Sequence, residues 1–229
     1  MLHDRAYVLH KKPYKDSSEL IKIFSQHHGV VDVLGKGSRG PKSKFKGQLQ
    51  PFIECEVSFT GRSALQTLVS AEQPGAPFKT GYTNHVAMLY CNELLLLSNY
   101  HDEANQAIYH CYAQTIDGLK SATSVALLLR RFEWQLYCAM GYELTLPQGA
   151  KDQDHLAFDS INGLGIKPQS DQCTVAVFRL FTQGADLSAE QLKPLNRLMR
   201  GVINHLVHGK TIQSRALLKA RPAERPSVK

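Results

Sequence analysis

No acidic residue occurs between Asp32 and Glu54, and that gap holds five cations: Lys36, Arg39, Lys42, Lys44 and Lys46. Other absences narrow the field. The longest aliphatic runs, Leu94 to Leu97 and Val125 to Leu129, are far too short to span a bilayer. Met1 to Arg5 lacks the apolar core of a signal peptide, and no lipidation signal or basic amphipathic helix speaks for a membrane surface. The five cysteines (Cys55, Cys91, Cys111, Cys138 and Cys173) are an odd number without a CxxC pair. They read as reduced thiols, mostly buried as small apolar side chains, in a soluble cytoplasmic protein. Walker, nucleophile-elbow and zincin motifs are all missing. Gly35 to Gly40 spells GxGxxG, but Pro41 and Gly47 deny the helix that a dinucleotide loop must open. A metal-dependent nuclease would need a carboxylate cluster, and the acids here are dispersed along the chain. No catalytic residue and no cofactor are expected.

What is present is positive charge and ordinary globular chemistry. The 229 residues carry 27 Lys and Arg against 20 Asp and Glu, a net charge of +7, with 43% hydrophobic residues. That length buries a real core, and that charge favours a polyanion, nucleic acid first. The cations from Lys36 to Lys46 are interleaved with Gly35, Gly37, Gly40, Pro41 and Gly47, so the stretch reads as a mobile loop rather than a helix.

The flanks of that loop read as strands. Arg5–His10, stopped by Lys11, Lys12 and Pro13, is a first; Glu19–Ser25 a second; Gly29–Leu34 a third. Phe52–Phe59 has the clearest period of two, and Ala64–Val69 follows. Five short strands and one long basic loop predict a small Greek-key barrel of the OB type over residues 1–76. After Pro74, Gly75 and Pro77 the period changes to 3.6. Helical faces follow at Val86–Leu97, Ile108–Leu119 and Val125–Leu136, the last closed by Gly141. Residues 77–229 thus read as a helical bundle, interrupted at about 144–186 by a small hairpin turning at Asn162-Gly163. Cys173–Phe181 is ambiguous between strand and helix. Ser188 to Gln191 matches a capping box, Pro194 suits the first turn of a new helix, and Gly209 can close it. The overall class is α+β.

Single residues weigh differently. His27 and His28 are adjacent and would point apart on a strand. His205 and His208 share a helical spacing, yet no cysteine or carboxylate nearby completes a metal site. Glu93, on an apolar stripe, reads as a structural contact to backbone or arginine. Arg130 and Arg131 lie beside Trp134, the single tryptophan. They read either as a helix-face salt bridge to Glu133 or as a bidentate clamp for a peptide carboxylate. Lys210, Arg215, Lys219, Arg221 and Arg225 read as a phosphate-contacting surface.

Several segments, in order along nearly the whole chain, resemble the RecO family of bacterial DNA repair proteins. They are Ala6–His10, Gly35–Arg39, Lys46–Phe52, Asn92–Leu95, Leu129–Glu133, Met140–Tyr142 and Gly209–Arg215. The resemblance implies a recombination mediator that binds single- and double-stranded DNA and anneals complementary strands. It implies work with RecR to load RecA on DNA coated by the single-strand binding protein, whose acidic C-terminal tail it docks, in the cytoplasm at the nucleoid. On this basis Lys36, Arg39, Lys42, Lys44 and Lys46 become DNA-backbone contacts, joined by Lys210 and Arg215. Tyr7 and Phe45 become stacking partners, and Arg130 and Arg131 candidates for the tail's carboxylate. Family members often hold a four-cysteine zinc module in the insert; here the insert has only Cys173, which implies a zinc-free module. An RNA-binding or ribosome-associated OB protein would share the barrel, the charge and the loop.

Overall fold

The computed structural model describes residues 1–75, 77–98, 105–122 and 124–219. Five strands close a barrel: β1 (Leu2–Tyr14), β2 (Ser18–Ser25), β3 (Gly29–Gly35), β4 (Cys55–Thr60) and β5 (Leu65–Glu72). Their order is β1-β2-β3-β5-β4, antiparallel except for the parallel β3–β5 pair, with β4 returning to β1. The OB-like barrel and the helices after it are the expected α+β class.

The period-2 pattern sets what lies inside. Ala6, Val8, Ile21, Ile23, Val31, Val33, Cys55, Val57 and Phe59 alternate inward and pack as one buried cluster. Their outward neighbours Tyr7, Leu9, Phe24 and Val30 are also buried, in a second cluster shared with the helices. The upper outer face of the barrel is therefore the floor of the helical core. A bulge after Val8 inserts Leu9, so that His10 pairs with Lys22 and the strand continues to Tyr14. Pro13 does not stop β1, contrary to the sequence expectation. It pairs with Glu19, while β4 pairs only with Leu2 to Ala6. This end of β1 has one open edge, where a missing N–H is tolerated.

The helices are α1 (Tyr82–Leu97), α2 (Gln106–Ser121), α3 (Val125–Ala139), α4 (Val175–Thr182), α5 (Ala189–Leu206) and α6 (Ser214–Lys219). Local chemistry fixes their ends. The Asn105 carboxamide oxygen accepts from the N–H groups of Ala107 and Ile108. Thr174 caps α4 through the N–H of Val177, which settles the ambiguous segment as helix. Ser188 and Gln191 form the reciprocal capping box of α5. Pro194 does not begin a new helix. It lies inside α5, whose continuous apolar face of Leu192, Leu195, Leu198, Met199, Val202 and Leu206 outweighs one lost backbone bond. Gly141, at φ +81°, ends α3 as expected.

Between α3 and α4 the insert holds one hairpin, β6 (Leu156–Asp159) and β7 (Gly163–Ile166). Leu156, Leu164 and Cys173 anchor it to the helical core. Four of the five cysteines are buried and all are free thiols. Burial pushes those of Cys55 and Cys173 up to about 12, so they stay neutral packing groups.

Candidate nucleic-acid interface

The basic stretch is a chain of tight turns rather than a loose loop, which corrects the sequence expectation. The N–H groups of Ser38, Gly40, Ser43, Lys46 and Gln48 each donate to the carbonyl three residues back. Gly37 and Gly47 sit at φ +66° and +79°, where a side chain would strain the backbone. The i,i+4 pair Phe45 and Leu49, each 3% exposed, enters the barrel core with Ile21, Val33 and Phe59. The loop is thus the plug of the barrel. Its first half is tied to the β1–β2 turn. The Arg39 N–H donates to the Ser17 carbonyl at 2.8 Å, and the Ser38 hydroxyl donates to the Glu19 carboxylate at 2.7 Å.

With the backbone pinned, the cations are held outward. Lys36, Arg39, Lys42 and Lys46 are exposed, and among the described residues their side chains make no hydrogen bond or ion pair. Lys44 differs: its ammonium donates to the Val69 carbonyl at 2.5 Å and lies 5.2 Å from the Phe45 ring centroid. Arg39 and Lys46 line an open cleft of about 450 Å3 together with Lys11, Ser38 and Gln50. Sequence reading passed over Lys11 as part of a strand stop. Its pairing opposite the inward-facing Ile21 is what turns it toward the plug.

Neither expected stacking residue offers a free ring. Tyr7 is 7% exposed, and its ring lies 5.6 Å from that of Tyr109 and 5.1 Å from that of Tyr112. Phe45 is inside the plug. Both aromatics serve the core.

The second basic group also turns inward. The Arg130 guanidinium pairs with Glu133, a carboxylate with no exposed surface, three residues on. The Tyr90 hydroxyl donates to the same Glu133 oxygen at 2.5 Å. Arg215 donates to Asn204 at 2.8 Å and lies over the Tyr90 ring, 5.8 Å from its centroid. Lys210 reaches the Leu97 carbonyl at 3.4 Å. Arg130 is therefore engaged in a buried ion pair, and half-buried Arg215 is engaged beside it by Asn204 and Tyr90. Arg221 and Arg225, and the side chain of Lys219, lie outside the described residues. Arg131 remains accessible. It donates to the carbonyls of Gly184 and Ala185 and pairs at 3.1 Å with Asp186, itself 93% exposed. Trp134 packs edge-on against Phe178, 5.6 Å between centroids.

Glu93 contacts backbone, as its sequence position implies. Its carboxylate accepts from the N–H of Gln213 at 2.6 Å, and from the N–H and hydroxyl of Ser214 at 2.9 and 2.6 Å. It caps α6 from α1, a favourable charge at a helix N-terminus. Replacing Glu93 with alanine should cost about 1–2 kcal/mol. Amide exchange at Gln213 and Ser214 should speed up before that of the α1 core, as read by hydrogen exchange.

Among the described residues no group of three or more His, Cys, Asp or Glu could hold a metal ion. His205 is ringed by Tyr137, Tyr142 and Phe158 instead. No helix among them is long and apolar enough to cross a membrane.

Comparison with known proteins agrees with this architecture. Residues 1–74 match the family model for the recombination protein O N-terminal part, and residues 80–206 that for its C-terminal part. DNA repair protein RecO of Nitrosospira multiformis is 32% identical, covering 93% of each chain. The protein of that name from Laribacter hongkongensis is 31% identical over 93% of this chain and 92% of its own. That from Methylococcus capsulatus is 30% identical, covering 96% and 94%. With a closed barrel plugged by a basic loop, a helical core on its outer face, and both family models matched in order, the chain belongs to the RecO family of DNA repair proteins.

Proposed function

We propose that the chain is a DNA-binding recombination mediator. It binds single- and double-stranded DNA through the barrel of residues 1–76, anneals complementary strands, and with RecR helps load RecA on strands coated by the single-strand binding protein. The observation that carries this reading is the set of four exposed cations, Lys36, Arg39, Lys42 and Lys46, without side-chain partners among the described residues, on a loop whose backbone is already fixed. Such a surface neutralises phosphates and releases their counterions without ordering itself first. It reads little sequence, which suits a protein that must accept any strand. No bond is made or broken in this function; it consists of holding two partly neutralised strands close together.

Lys11 joins the phosphate contacts from the same cleft. Lys44, Lys210 and Arg215 are left out, because each is already engaged by the fold. For the acidic tail of the single-strand binding protein, Arg131 is the accessible guanidinium. An incoming carboxylate would replace exposed Asp186 there, beside Trp134 and Phe178. The protein would act in the cytoplasm, at the nucleoid.

Anisotropy of a labelled single-stranded oligonucleotide across a salt series tests the reading. Four to five phosphate contacts predict a slope of log Kd against log salt of about 3, at about 0.7 per contact. The slope should be the same for different base sequences. Failure to bind at about 50 mM salt would overturn the proposal. Preference for RNA in direct competition would move the protein to an RNA-binding role.

A further inference from the structure

The outer face of the barrel has two halves, and the helices cover only one. Cross-strand partners share a face, so the register assigns each side chain. Tyr7, Phe24 and Val30 are paired in a row and lie under α1 and α2. Two residues further down β2, Lys22 pairs with His10 and Asp32 on the same face. Beyond it, Leu20 pairs with Lys12 and Leu34, and Ser18 pairs with Tyr14. Leu65, opposite Asp32 on β5, continues that face.

This lower half is apolar across its middle. Tyr14 is 36% exposed and Leu65 41%, with Leu20 and Leu34 half-buried between them. The Tyr14 hydroxyl makes no hydrogen bond among the described residues, and the Lys15 ammonium lies 5.4 Å from its ring centroid. Lys12 shares the face and is exposed. At the end of the same hairpin, Ser17 and Glu19 bind the loop that carries Arg39. The cleft of Lys11 and Arg39 lies on the other face of this hairpin, around its edge. An exposed ring on a half-buried apolar row, bordered by lysines, has the chemistry to take a nucleic-acid strand: flat base faces on the ring, phosphates on the ammonium groups.

We propose that Tyr14, on the same face as Leu20 and Leu34, is the stacking platform for the bases of an unpaired strand, with Lys12 and Lys15 on its phosphates. This rests on the nucleic-acid reading above and adds to it the part that tells a single strand from a duplex. A duplex keeps its base faces stacked inside and gains nothing from Tyr14. An unpaired strand lays its bases on the ring and its phosphates on Lys12 and Lys15.

Three labelled probes test the platform by anisotropy: an oligothymidylate, an abasic backbone of the same length, and a duplex. Tyr14→Ala should weaken oligothymidylate binding about tenfold and change the other two by less than about twofold. Tyr14→Phe, which keeps the ring, should bind all three like the wild type. Equal binding of oligothymidylate by Tyr14→Ala and wild type overturns the platform while leaving the phosphate surface intact. An equal loss on all three probes overturns it too, since the ring would then be holding the hairpin rather than a base. If the wild type binds none of the probes, the nucleic-acid reading falls and takes the platform with it.

Discussion

Arg130→Ala is expected to destabilise the fold by about 3–5 kcal/mol, because it leaves the Glu133 carboxylate buried without its cation. For a chain of this size that lowers the melting temperature by about 10 °C. The neighbours cannot compensate. Tyr90 offers one hydroxyl, and the Arg215 guanidinium is turned to Asn204 and the face of Tyr90. Burial already raises the Glu133 carboxyl above its ordinary 4.5, while Arg130, Tyr90 and Arg215 pull it down. Removing Arg130 therefore raises it further. A carboxyl whose folded pKa lies above its unfolded one binds more protons when folded, so its contribution to stability falls as pH rises between the two values. The Arg130→Ala deficit should shrink as pH is lowered from 8 toward 5, in denaturant melts at each pH. A deficit that is constant or grows on acidification would mean that Glu133 is not left as an unpaired anion. Replacing both partners, Arg130→Met with Glu133→Leu, should recover much of the loss, since an apolar pair of similar volume needs no solvation.

Charge reversal of Lys36, Arg39, Lys42 and Lys46 to glutamate should lower single-strand affinity on the order of 100-fold near physiological salt. It should also flatten the slope of log Kd against log salt by about 3. Stability should hardly change, because none of the four side chains has a partner among the described residues. Lys44→Glu alone makes the contrast. It removes a contact to the Val69 carbonyl and a cation from the Phe45 ring, so it should loosen the plug more than it alters DNA binding. Unchanged affinity in the fourfold variant, with an unchanged melting temperature, would move the DNA surface off this loop.

Much of this was legible in the residues, and the misses share one physical origin. Alternation in Ile53, Cys55, Val57 and Phe59 announced a barrel strand, and the switch to a period of 3.6 announced the helices. Glycines and Pro41 placed the basic loop between strands. Alternation gives faces, however, and does not say what covers them. The stacking role that the resemblance implies for Tyr7 needs a free ring, and whether its face meets solvent depends on Tyr109 and Tyr112, a hundred residues later. Phe45 lies among five cations, and its stacking role came only from the resemblance. The local signal for the plug was its i,i+4 partner Leu49, an apolar pair in an otherwise polar stretch. Arg130 was open between two readings from spacing alone. Complete burial of Glu133 decides it, and burial is a property of the packed bundle. Tyr14 was overlooked because Pro13 was read as the end of a strand, when it marks only an open edge.

The clasp between Glu93 and Ser214 joins residues 121 positions apart, and synthesis reaches its two halves at different times. At about 5–20 residues per second, the carboxylate waits about 6–24 s for the amides that it will cap. The barrel can close long before that, since its last strand ends at Glu72. For those seconds a nascent chain presents a finished basic surface beside an unfinished helical core. A chaperone that shields the α1–α3 faces during that window should raise the yield of folded protein without touching the barrel.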